Sequence, residues 1–204
     1  MKNTIILGIL GIALTACGAT IDNKLNVAKA DSSKALQHDV LTAAVDTPAT
    51  ILANQNAPTA GINPLGSVYD AYFELKNALA KDNGKSAQIA GKNLLDNIAS
   101  IESSALTAEQ NEVWTKYKSK LSFDAEHISS VDKNEHQREH FVTLSKNMYE
   151  VMKTIKYDKP VYYQNCPMYN NGKGANWLSL ENKISNPYFG KSMPTCGSTI
   201  ETVK

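Results

Sequence analysis

The chain has 204 residues, 42% of them hydrophobic and 20% charged, and 21 basic residues against 20 acidic ones leave a formal net charge of +1. Arg138 is the only arginine, and no Lys/Arg cluster accompanies it. That near-neutral balance excludes the electrostatic footprint of a nucleic-acid-binding protein and any polybasic membrane-binding stretch.

Residues 1–16 read as an export signal, with Lys2 as its charged start and Ile5 to Leu14 as an apolar run too short to cross a bilayer. Leu14-Thr15-Ala16-Cys17 resembles a bacterial lipobox. Acylation of Cys17 after cleavage is therefore expected, giving an exported protein anchored by lipid in the bacterial envelope, on the periplasmic side or the cell surface. The alternative is a plain secretory signal with an incidental cysteine. No second long apolar run follows, so membrane attachment rests on the lipid of Cys17.

Residues 17–64 are rich in Ala, Thr, Asn, Asp and Ser and contain no aromatic side chain, which predicts a flexible tether. The folded domain is expected over 65–204. Val68, Tyr72, Leu75 and Leu79 recur at helical spacing, with Asn83-Gly84 as the expected stop, and Ala87, Ala90, Leu94, Ile98 and Ile101 mark a second helix. Thr107 with Gln110 forms the capping signature of a third, carrying Val113, Trp114, Tyr117, Leu121 and Ile128. Asp132 with Glu135 reads as another such box, opening a fourth helix through Phe141, Leu144, Met148, Met152 and Ile155. The expected fold is mainly α: an up-and-down four-helix bundle with a C-terminal Cys/Met-rich loop segment and a short antiparallel β pair.

That pair would join Val161-Tyr162-Tyr163 to Ser198-Thr199-Ile200, with the turn-rich stretch 165–197 between them. The pairing draws Cys166 and Cys196 together. Two thiols in an exported chain most simply make a disulfide, worth about 3 to 4 kcal/mol in the chain-entropy model, as the staple of an envelope interaction module. The methionines point elsewhere. Met168 follows Cys166 by two residues and Met193 precedes Cys196 by three, each beside a proline, and thiolate plus thioether donors select soft ions such as copper(I) or silver(I). Lys173 and Lys191 would lie at the rim of such a site, and Trp177 would shield it.

Cys166-Pro167-Met168, Gly174-Ala175-Asn176-Trp177-Leu178-Ser179, Asn186-Pro187-Tyr188-Phe189-Gly190 and Met193-Pro194-Thr195-Cys196-Gly197 resemble an exported family catalogued as a domain of unknown function. Gln137-Arg138 and Phe141 also fit its pattern, so the resemblance runs from about Val68 to the C-terminus. Members of that family also occur attached to periplasmic adaptors of copper/silver efflux pumps, which implies heavy-metal efflux components as partners and metal buffering or delivery, without catalysis, as the role. Many relatives carry His where this chain has Asn165, which narrows the implied donors to Cys166, Met168, Met193 and Cys196.

One enzyme reading competes. His136-Gln137-Arg138-Glu139-His140 spells H-x-x-E-H, with two histidines on one helical face as in inverted zinc metallopeptidases. The motif opens a helix where charged residues are ordinary, no third zinc ligand is identifiable, and His127, which could in principle join the pair, reads more simply as a satisfied or exposed histidine. No nucleophile elbow or phosphate loop is present in the sequence.

Overall fold

The computed structural model describes residues 63–204; the expected signal peptide, Cys17 and nearly all of the tether lie outside the described residues. Four helices, α1 (Gly66–Ala80), α2 (Gly84–Ser100), α3 (Ala108–Ser130) and α4 (Asn134–Thr154), precede three strands, β1 (Val161–Cys166), β2 (Ala175–Ser179) and β3 (Ser198–Val203). The fold is mainly α with one small antiparallel sheet. Successive helices pack on one another, and β2 lies against both α1 and α4.

The helical stripes are buried as their spacing requires. Val68, Tyr72, Leu75 and Leu79 of α1, Leu94 and Ile98 of α2, Leu121 and Ile128 of α3, and Phe141, Leu144, Met148 and Met152 of α4 are all fully enclosed. At roughly 1.5–3 kcal/mol for each large apolar side chain, this burial is the main term holding the helices together. Met148 and Met152 are therefore core residues and unrelated to the sulfur motif. The Thr107 capping box forms, with the Gln110 N–H donating to the threonine hydroxyl at 3.3 Å and the glutamine side chain returning to the Thr107 N–H at 3.0 Å.

Two expected boundaries move. Asn83-Gly84 does not end α1; Asp82 takes the left-handed conformation there (φ 56), and Asn83 instead caps α2 by accepting from the Ser86 N–H at 3.0 Å. Gly84 is small because a Cβ would stand 1.8 Å from the Asp132 carbonyl oxygen. The Asp132–Glu135 box is absent: the chain leaves α3 extended at Val131, so Lys133 becomes the residue before α4 and makes no side-chain cap. Gln137 ties that corner together, donating to the carbonyls of Gly84 at 2.9 Å and Val131 at 2.8 Å.

The sheet has the order β2-β1-β3. The expected pairing of β1 with β3 is present and antiparallel, with Val161 opposite Val203 and Asn165 opposite Ser198 across a bulge at Tyr163/Gln164. β2 is an addition. It pairs antiparallel with β1, placing Cys166 opposite Ala175, after a turn in which Asn170, Asn171, Gly172 and Gly174 all adopt positive φ. The sheet joins the bundle through Tyr72, whose hydroxyl accepts from the Leu178 N–H at 3.0 Å and shares a 2.7 Å hydrogen bond with Ser145.

Candidate thiol site

Cys166 ends the central strand β1, and Cys196 sits in the turn that leads into β3, with its N–H donating to the Met193 carbonyl at 3.3 Å. Because β1 pairs with β3, the two sulfurs meet at 2.8 Å as free thiols. Cys166 is fully buried and Cys196 half-buried. One side of the pair therefore faces the core and the other is within reach of solvent.

The turn after β1 aims backbone donors at the sulfurs. The N–H groups of Met168 and Tyr169 and the side chain of Asn186 all favour the thiolate of Cys166, and the Met168 N–H serves Cys196 as well. Burial pushes the Cys166 thiol up, but the Cys196 thiol and these donors outweigh it and hold it below the ordinary cysteine value. Cys196 moves the opposite way, raised chiefly because its S–H is hydrogen-bonded to Cys166 and secondly by burial. The pair is thus asymmetric: Cys166 is the sulfur that deprotonates more readily and Cys196 the one that donates to it, and the thiolate is the reactive, metal-ready form of a thiol.

Asn186 organises the surrounding loop and was not legible as a site residue. It is 1% exposed, donates from its amide nitrogen to the Cys196 carbonyl at 2.7 Å, and accepts with its side-chain oxygen from the N–H groups of Tyr188 at 2.8 Å and Phe189 at 3.1 Å. Its own N–H donates to the Pro194 carbonyl at 3.0 Å. The available signal was an asparagine followed by proline, the usual start of a side-chain-closed turn. Trp177, fully buried, and Tyr188 cross edge to face at 5.9 Å, and Tyr169 stacks on Tyr188 at 4.5 Å, so the three rings form one aromatic cluster around Tyr188.

The four sulfurs are placed unequally. Met168 offers its backbone to the thiols while its side chain is 58% exposed, lining a groove with Arg138, Glu139 and Tyr169. Met193 is half-buried and contributes its carbonyl to the Cys196 turn. Lys173 and Lys191 are exposed, and Asn165 is engaged with the Asn176 side chain. His127, His136 and His140 are grouped with one another on α3 and α4. Glu139 of the H-x-x-E-H spelling is 65% exposed and lies 3.7 Å from the His136 Nδ1. Among the described residues, no group of three or more His, Cys, Asp or Glu side chains could hold a metal ion as it stands, and no helix is long and apolar enough to cross a membrane.

No curated protein and no solved structure matches the chain. The Cys/Met segment from β1 onward also lies beyond the family match. Residues 68–159, from the first turn of α1 to just past the end of α4, match a family model described as a protein of unknown function (DUF3347), and it is this helical part of the chain that is similar to that family.

Proposed function

We propose that the protein is an exported lipoprotein, anchored through Cys17, that binds copper(I) or silver(I) at Cys166 and Cys196 and buffers the ion or delivers it to heavy-metal efflux components. It performs no catalysis. The observation that carries this reading is the 2.8 Å approach of two free thiols, one at the end of β1 and one in the turn before β3, with N–H donors aimed at the inner sulfur. Two thiolates suit a soft monovalent ion, which accepts few ligands and prefers sulfur over oxygen. Met168 and Met193 flank the pair in sequence, and their thioethers complete the donor set once the ion is bound. The exposure of Met168 gives an incoming ion its first sulfur contact and a partner its route to withdraw it.

Competition against a chromophoric Cu(I) chelator tests the assignment. The parent chain should withdraw one Cu(I) from the chelator, the Cys166→Ser, Cys196→Ser variant should not, and Met168→Leu with Met193→Leu should weaken retention to a smaller degree. Equal retention by the cysteine double variant would remove the site.

The same proximity favours a second reading, in which the thiols form a structural disulfide and the bundle serves as an envelope interaction module. An intact mass of the exported protein lower by two hydrogens, unchanged in the presence of Cu(I), supports the staple over the metal site.

A further inference from the structure

A second cluster of metal-ligating side chains lies away from the thiols. His127 stands in the last turn of α3, and His136 and His140 stand in the first two turns of α4, so the tight α3–α4 packing places three imidazoles at one end of the helix pair. Their ring centroids are 4.5 Å apart for His127 and His140, 4.9 Å for His136 and His140, and 6.4 Å for His127 and His136. We propose that these histidines form a separate site for a borderline divalent transition-metal ion, of the class of Zn(II) or Cu(II).

The spacing suits such an ion. With metal–nitrogen bonds of about 2.0–2.1 Å, tetrahedral imidazole ligands have ring centres roughly 5 Å apart, and the three separations observed bracket that value. His136 and His140 occupy positions i and i+4 of one helix, and His127 supplies the ligand from the neighbouring helix that the H-x-x-E-H spelling lacks. The rings of His127 and His140 stack at 27°, so binding requires them to fan outward. His136, 42% exposed, has the most room to move, whereas His127 and His140, 19% exposed, turn about the hydrogen bonds that hold their Nδ1 atoms.

Chemistry assigns the protons. The Nδ1 of His127 lies 2.9 Å from the Phe123 carbonyl oxygen, which only accepts, so Nδ1 carries the hydrogen and Nε2 keeps its lone pair. The Nδ1 of His140 lies 3.1 Å from Asp124 Oδ1, with the same consequence. Asp124 is 4% exposed and also accepts from the Thr143 hydroxyl at 2.8 Å. A buried carboxylate that faces a partly exposed imidazole and holds its orientation is the outer partner that metal-bound histidines characteristically have. Imidazole donors suit Zn(II), Cu(II) and Ni(II), whereas the thiol pair suits soft monovalent ions, so the two sites divide metals by hardness.

Zn(II) alone, titrated by calorimetry into the full exported chain after its thiols are alkylated, tests this independently of the copper(I) reading. The expected result is one Zn(II) per chain, abolished by His127→Ala with His140→Ala and weakened about 10- to 100-fold by Asp124→Asn, a positioning residue that does not touch the ion. Zn(II) should also shift the imidazole resonances of all three histidines. A circular-dichroism spectrum identifies a variant that has lost its helices, in which case the exposed His136→Ala, which leaves the core untouched, takes its place. An isotherm unchanged by the histidine substitutions in folded protein, or no Zn(II) uptake by the parent chain, overturns the site.

Discussion

Arg138 of α4 clamps Asp82, the residue that turns the chain from α1 into α2. Its Nη2 donates to the Asp82 carboxylate at 2.5 Å and to the Leu79 carbonyl at 2.9 Å, while its Nε donates to the Pro187 carbonyl at 2.8 Å. The other oxygen of Asp82 accepts from the Lys191 N–H at 2.9 Å. Gly190 has φ 53 beside this clamp, and a Cβ there would stand 1.9 Å from the Asp82 Oδ1. The chain's only arginine thus fastens the loop before Cys196 to the end of the bundle.

Arg138→Lys keeps the charge but loses the planar fork that serves three acceptors in three directions. The expected cost is about 2–3 kcal/mol, the range of a partly buried charge-assisted hydrogen bond. Urea unfolding would read it, and amide exchange at residues 187–191 should rise more than exchange in α2. Uniform acceleration throughout the chain would mean that the arginine is not a local clamp.

The same contact predicts an acid-side dependence. The Arg138 hydrogen bond, and after it the Lys191 N–H, hold the Asp82 carboxyl below the usual aspartate value. Its stabilisation is therefore complete above the unfolded-state value near pH ~4 and is lost as pH falls through the depressed folded-state value. Asp82→Asn should be less stable at neutral pH and should lack that part of the acid decline. Parallel pH profiles for parent and variant, from denaturant midpoints, would contradict the ion pair.

For the thiols, ultraviolet thiolate absorbance should titrate in two steps, one below and one above the ordinary cysteine value, because Cys166 is stabilised as thiolate and Cys196 is held as its donor. Cys196→Ala removes that donor and should move the remaining step upward. Asn186→Ala should move the lower step in the same direction. A single step at the ordinary value would show that the thiols do not interact.

Gly197 adjoins Cys196 with φ 136, and a Cβ there would lie 2.6 Å from the Asn165 carbonyl oxygen and 2.9 Å from the Trp177 ring. Gly197→Ala is expected to cost about 1–3 kcal/mol through strain and overpacking. Since the displaced atoms carry the β1–β3 pairing, the thiols should separate, and disulfide formation by a mild two-electron oxidant should slow markedly. Unchanged oxidation kinetics with reduced stability would locate the strain elsewhere.

The four helices were readable because each buries one stripe at a fixed spacing, which is a local property of the chain. Their joints were not. Asn83-Gly84 carries the signals of a helix stop, yet it starts α2, since only the approach of the Asp132 carbonyl explains the glycine. Asp132 and Glu135 have the right spacing for a cap, but the exit of α3 at Val131 sets the start of α4 one step away from it. β2 lacks a β-branched run, and its register comes from β1 and from the bundle, where the Tyr72 hydroxyl meets the Leu178 N–H across 106 positions of chain. Partners so distant leave no periodic trace.

Composition and motif spelling alone determined the export signal as an expectation, the mainly α class, the β1–β3 pairing and the pairing of Cys166 with Cys196. Tertiary structure alone decided that Cys166 is the inner sulfur, with its thiol value lowered, and Cys196 the outer one that donates to it, that Asn186 builds the loop around them, and that His127 stands beside His136 and His140. The division has one physical cause. Burial periodicity and turn chemistry act between near neighbours and are written along the chain, whereas which donor faces which sulfur, and which imidazole faces which, depends on how separate elements pack.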